Sequence, residues 1–152
     1  MLRILISSIA LGFFASSAIA KDLPDFLKDK VYSTDPSKCG DVTEDDSLQL
    51  SKEGVFGFEF GCAFLGFDVE KDADTGKTYI AVGRANCADD SGINRPDNIT
   101  LVDQGEGTIS VQSQNEYIIS QTRILLAQKL SENIEVAVNS PSYVSREYKI
   151  CK

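Results

Sequence analysis

Val55 to Val69 is the most patterned segment of the chain, and it alternates as far as Phe64. Phe56, Phe58, Phe60, Cys62 and Phe64 occupy successive even positions, with Val55, Gly57, Glu59, Gly61 and Ala63 between them. A period of two puts the four rings and Cys62 on one face of a strand, whereas helical spacing would wrap them around the axis. Four phenylalanines on one side read as a core face, since each buries on the order of 150 to 250 Å2. After Gly66 the apolar positions move to Phe67 and Val69, which predicts a bulge that flips the parity by one.

Asp72-Ala73-Asp74-Thr75-Gly76 reads as a turn leading into a second strand, Thr78 to Cys87. With the turn centred between Asp74 and Thr75, Cys62 falls opposite Cys87 and Phe64 opposite Ala85. That is within reach of a cross-strand disulfide. The two remaining cysteines, Cys39 and Cys151, then form a second bridge. Nowhere is there a Cys-x-x-Cys pair. This excludes the usual redox motif and the close ligand pairs of a structural zinc site.

Elsewhere the pattern is short strands and turns. Leu48 and Leu50 alternate with polar residues ahead of a turn at Lys52-Glu53-Gly54. Ile99 to Val102 and Thr108 to Val111 flank Gln104-Gly105-Glu106-Gly107 as a hairpin. Ile134, Val136 and Val138 alternate, as do Val144, Tyr148 and Ile150. Residues 88 to 98 read as one long polar loop. In 116–130, Tyr117-Ile118-Ile119 favours strand and Leu125 to Leu130 favours helix. Asp22 and Pro24 are placed to start a short helix. The chain is therefore expected to be mainly β, a small antiparallel β-sandwich or barrel of about eight short strands. A short N-terminal helix or turn precedes it, and one helical candidate lies near 123–130.

The first twenty residues differ from the rest. Arg3 is followed by an apolar or small run, Ile4 to Ile19, closing on Ala18-Ile19-Ala20. Charged start, apolar middle and small-residue exit are the parts of a secretory signal peptide, with cleavage after Ala20. The run is short and interrupted for a membrane span. Residues 21–152 are then expected to form a single disulfide-stabilised β-domain, exported to the periplasm or outside the cell, with no membrane insertion after cleavage. An even number of cysteines suits an oxidising compartment.

Charge narrows the partners. The chain has 15 basic and 23 acidic residues, a net charge of −8, and no histidine. Removing Arg3 with the leader takes the charge to −9. Such a surface repels phosphates, which argues against nucleic acid. The lack of histidine removes the common general base, the usual metal ligand and the Ser-His and Cys-His nucleophile systems. No catalytic residue, metal site or cofactor is read from the sequence. The acidic stretch Asp41 to Ser47 and the Asp72/Asp74 turn both lack the spacing of a calcium loop.

Two features are candidates for binding. Glu59, between Gly57 and Gly61, is expected to project from the face opposite the phenylalanines, where glycines permit close approach. The 88–98 loop offers Asp90, Ser91, Ile93 and Arg95, and loops on a rigid sheet commonly carry recognition. Arg95 can fork onto a partner carboxylate, or pair locally with Asp90 or Asp97. The expectation is a non-enzymatic module that engages another protein, cationic in character, through surface loops. An inhibitor of a basic secreted enzyme such as a lysozyme is one form of this. A small carboxylate-dependent hydrolase and a structural envelope component are the alternatives.

Overall fold

A computed structural model describes residues 23–40, 47–130 and 143–152. The predicted leader, the acidic stretch 41–46 and the alternating residues Ile134, Val136 and Val138 lie outside the described residues. Eight antiparallel strands close into a barrel, each paired with its neighbours in chain order and the first with the last. They are β1 (Tyr32–Ser33), β2 (Gln49–Leu50), β3 (Gly54–Phe56), β4 (Phe60–Lys71), β5 (Thr78–Asp89), β6 (Arg95–Gly105), β7 (Thr108–Ser113) and β8 (Glu147–Ile150). One helix, α1 (Gln114–Leu130), leaves the barrel after β7. The expected mainly β architecture holds, in its barrel form.

A barrel of this size is filled by its own side chains. Tyr32, Leu50, Val55, Cys62, Phe67, Ala81, Ala85, Ile99, Leu101, Ile109 and Tyr148 are buried together. Large residues on β4 face small ones on β5. Phe64 and Phe67 pack ring to ring at 4.8 Å, and Gly83 opposite Phe67 leaves the room they need. A Cβ on Gly83 would lie 2.5 Å from the Phe64 ring.

The β4–β5 register contains both expected features. Cys62 pairs with Cys87 and Phe64 with Ala85, and the strand slips by one between Phe64 and Gly66. Leu65 is pushed outward at this bulge, and Phe67 returns to the interior. A second slip, between Glu70 and Lys71, restores the pairing sum at the turn. Counting from the turn aligns the cysteines because the two slips cancel.

The Phe face is different from the expectation. Val55 to Val69 is not one strand. Phe58 and Glu59 form the tip of a tight hairpin in which the Gly57 N–H donates to the Phe60 carbonyl at 2.8 Å. Val55 pairs with Cys62 and Phe56 with Gly61. The turn therefore exchanges parity: Val55 and Cys62 point inward, while Phe56 lies over Gly54 and Gly61. The 88–98 loop is also shorter than expected. β5 and β6 run on past the barrel body, so only residues 90–94 connect them. The helix begins nine residues ahead of position 123, and Tyr117-Ile118-Ile119 belongs to it.

Each barrel end is finished differently. At one, a 3-10 turn at Asp25–Leu27 buries Phe26 and Leu27. The buried Tyr32 hydroxyl donates to the Phe26 carbonyl at 2.6 Å. Tyr148 donates to the Val144 carbonyl at 3.0 Å. Burial raises the Tyr148 phenol well above the ordinary value, and burial with the Asp103 charge raises Tyr32. The Tyr148 phenol stays neutral in the fold when the unfolded chain ionises. Its contribution is complete below about pH 10 and is lost as pH rises beyond it, by up to about 1.4 kcal/mol per pH unit. Urea midpoints measured from pH 9 to 12 are expected to fall, and Tyr148→Phe is expected to flatten the fall. An equal slope in the variant would contradict this.

Two disulfides complete the framework, Cys39–Cys151 and Cys62–Cys87, as the sequence predicts. Two such bridges suit an oxidising, non-cytosolic compartment. Among the described residues, no helix is long and apolar enough to cross a membrane.

Candidate functional site

The barrel end opposite the 3-10 turn collects the predicted binding residues. Phe60, the first residue of β4, pairs with Asp89, the last of β5. The β3–β4 tip, carrying Phe58 and Glu59, thus lies at the same end as the 90–94 connection. β7 finishes here as well, and α1 begins from it. Phe60 closes the interior at this end with an edge-to-face contact to Tyr143, centroids 5.0 Å apart.

The sequence-predicted residues fall into this rim unevenly. Glu59 is exposed, at a hairpin tip and not on a strand face. Asp90, Ser91 and Ile93 lie on the connection, and Arg95 opens β6. Arg95 meets Asp89 at 3.6 Å, in place of the Asp90 or Asp97 partner considered from sequence. Asp89 also accepts from the Ser91 hydroxyl and, at 3.0 Å, from the Ser91 backbone N–H. The Ser91 hydroxyl chiefly, then its N–H and the Arg95 charge, hold Asp89 below the ordinary carboxylate value. Gly92, at φ +71°, completes the turn with an N–H bond to the Asp89 carbonyl of 2.9 Å. The loop is ordered by its own residues, and it presents Ile93 outward.

Beneath the rim, Asp97 and Glu116 fix the helix to the barrel. Buried Asp97 accepts from the Ser113 hydroxyl at 2.5 Å and from the backbone N–H groups of Asn98 and Asn115 at 2.8 and 3.1 Å. Ser113 caps α1, its hydroxyl accepting from the Glu116 N–H at 3.1 Å. Glu116 turns the other way. Its carboxylate accepts from the N–H groups of Tyr143, Val144 and Ser145 at 2.8, 2.7 and 2.8 Å. One side chain in the first helical turn thereby holds the strand-ward approach to β8.

Between these elements is a groove of about 320 Å3. Phe60, Ile118, Ile119 and Val144 give it an apolar floor, and Arg95 and Asn115 stand at its polar side. Ile118 and Ile119 in its lining are each more than half exposed, as are Phe58 and Ile93 elsewhere at this barrel end. Glu59, Asp89 and Asp90 supply negative charge. Single exposed apolar residues are ordinary, whereas larger exposed apolar patches are the pattern found at interaction surfaces in general. Sequence reasoning missed Phe58, which was assigned to the core, and Glu116. The signal for Glu116 was present: Ser113-Gln114-Asn115-Glu116 has the spacing of a capping box.

No group of three or more potential metal-ligating side chains occurs among the described residues. No family model, curated protein or solved structure matches this chain.

Proposed function

We propose that the protein is an exported, non-enzymatic binding module that engages another protein with this barrel end, in the periplasm or outside the cell. The observation that carries the reading is an apolar groove lined by Phe60, Ile118, Ile119 and Val144 at the same barrel end that exposes Phe58 and Ile93 and holds the acidic residues Glu59, Asp89 and Asp90. Apolar anchors near a groove supply most of the affinity at such surfaces. Glu59, Asp89 and Asp90 favour encounter with a cationic partner, and the net charge of −8 adds to that steering. A basic secreted enzyme such as a lysozyme is a partner of the right chemistry, with the barrel acting as its inhibitor.

The test is titration calorimetry of the oxidised protein against a panel of basic secreted enzymes, lysozyme among them, with inhibition read in parallel. Saturable binding is expected. Phe58→Ala and Ile93→Ala are each expected to weaken it about tenfold or more. Asp90→Ala is expected to slow association at low salt while leaving dissociation nearly unchanged. Absence of binding across the panel at micromolar protein, or affinity indifferent to both apolar truncations, would remove the reading.

A further inference from the structure

A second groove, of about 540 Å3, lies on the other flank of the first turns of α1. Its floor is the outer surface of three adjacent strands. Val82 on β5 pairs with Thr100 on β6, and Thr100 pairs with Gln112 on β7, so the three form one cross-strand row. Their neighbours Ala81, Ile99, Leu101 and Val111 point into the barrel. Alternation therefore aims the row outward. Asn98 and Gln114 make the end of the groove, joined by a bond of 2.7 Å from the Asn98 amide to the Gln114 carbonyl oxygen. Tyr117 stands over it from the helix, about half exposed.

The described residues that line it are Val82, Asn98, Thr100, Gln112, Gln114 and Tyr117, none of them charged, in a chain of which a quarter is charged. Three side-chain amides each offer donors and an acceptor, and the threonine and tyrosine hydroxyls do both. A ligand matched to this set is neutral and carries closely spaced hydroxyl or amide groups. The Tyr117 ring adds an apolar face against which a flat array of C–H bonds can stack. Neutral sugars combine these two properties: equatorial hydroxyls around the edge and C–H groups on the face. A strand-forming peptide is a poorer match, because the closed barrel has no free edge here for it to pair with. The volume is within the range of small-molecule sites and suits a short oligosaccharide.

We propose that this groove binds a neutral oligosaccharide, stacked on Tyr117 and hydrogen-bonded by Asn98, Thr100, Gln112 and Gln114. It is separate from the barrel-end surface and does not depend on that surface having a protein partner. The site rests on a three-strand sheet and on a helix start anchored by Asp97 and Ser113, and the bond between Asn98 and Gln114 orients two of its amides before a ligand arrives.

The experiment is an amide-resolved NMR titration of the oxidised protein with neutral trisaccharides of glucose (α- and β-linked) and of N-acetylglucosamine. A uronic-acid trisaccharide serves as the charged control. Saturable shifts centred on Thr100, Gln112, Gln114 and Tyr117 are expected with at least one neutral probe, at about millimolar concentration. Tyr117→Ala is expected to weaken binding about tenfold and Tyr117→Phe no more than about twofold, with the spectrum otherwise preserved. Phe58→Ala and Ile93→Ala should leave it unchanged. The proposal is overturned if no neutral probe gives a saturable shift up to about 20 mM, if the uronate binds equally well, or if Tyr117→Ala has no effect.

Discussion

Replacing both Cys39 and Cys151 by Ser is expected to lower the unfolding free energy by about 4.8 kcal/mol, against about 3.5 kcal/mol for the Cys62/Cys87 pair. The difference follows from loop length. The first bridge links residues 112 apart and the second residues 25 apart, and the longer loop constrains the unfolded chain more. Folding stabilities of ordinary domains are only about 5 to 15 kcal/mol, so the first variant is expected to be marginal at physiological temperature. The location adds to the effect. Barrel closure depends on two-residue β1, which pairs Tyr32 with Ile150 and Ser33 with Lys149. The Cys151 N–H donates to the Val31 carbonyl at 2.9 Å beside the bridge. Urea unfolding of the two double variants gives the comparison. Amide exchange should accelerate first at Tyr32, Ser33, Lys149 and Ile150. If the Cys62/Cys87 variant is the less stable of the two, loop entropy is not what governs these bridges.

Truncating Glu116 to Ala is expected to cost about 3 kcal/mol. Three backbone N–H groups converge on its carboxylate, and bonds to an ionised acceptor contribute about 1.5 to 3 kcal/mol each before the released groups find water. Val144 is buried, so its N–H is the one least able to do so. Glu116→Gln retains an acceptor without the charge and should fall between the two. The local signature is as informative as the total. Amides of Tyr143, Val144 and Ser145 should shift and lose exchange protection, and the Phe60–Tyr143 contact should loosen with them. Unchanged protection at these three amides would show that the segment is held by something else. Because Glu116 also lines the apolar groove, the variant should weaken the proposed partner binding through disorder of the rim.

The parts legible from sequence were those where local pattern and tertiary pairing agree. Alternation along β4, the turn at 72–77 and the cysteine positions all point to one register, and both bridges follow from it. The Phe face misled because a two-residue turn leaves a period-two pattern intact while reversing which positions face inward. Phe58-Glu59 lacks the Asn-Gly or Asp-Gly chemistry that usually announces such a turn. Its flanking glycines are explained by packing: a Cβ on Gly57 would press on Leu48, and one on Gly61 on Phe56. Residues 88–89 and 95–98 looked like loop, yet Ala88 and Asp89 pair with Gly61 and Phe60 on β4, and 95–98 pair with 84–87 on β5, Pro96 lying opposite Asn86. Strand propensity is weak against such context. In α1 the same weakness appears in reverse: Tyr117-Ile118-Ile119 is helical because Ser113 caps the turn before it. The rim itself could not be read, since it is made by the ends of four elements distant in sequence.

The pairing of Tyr32 with Ile150 has a consequence for how the chain reaches its fold. The first strand has β2 on one side only until a segment more than a hundred residues later arrives on the other. Contacts of such separation slow folding, because chain entropy is surrendered before the contact is made. A ribosome-bound or partly threaded chain that has not yet released residues 147–151 cannot close the barrel, whatever its local hairpins do. Closure is thereby the last pairing open to the chain, made only once residues 147–151 are free to meet β1.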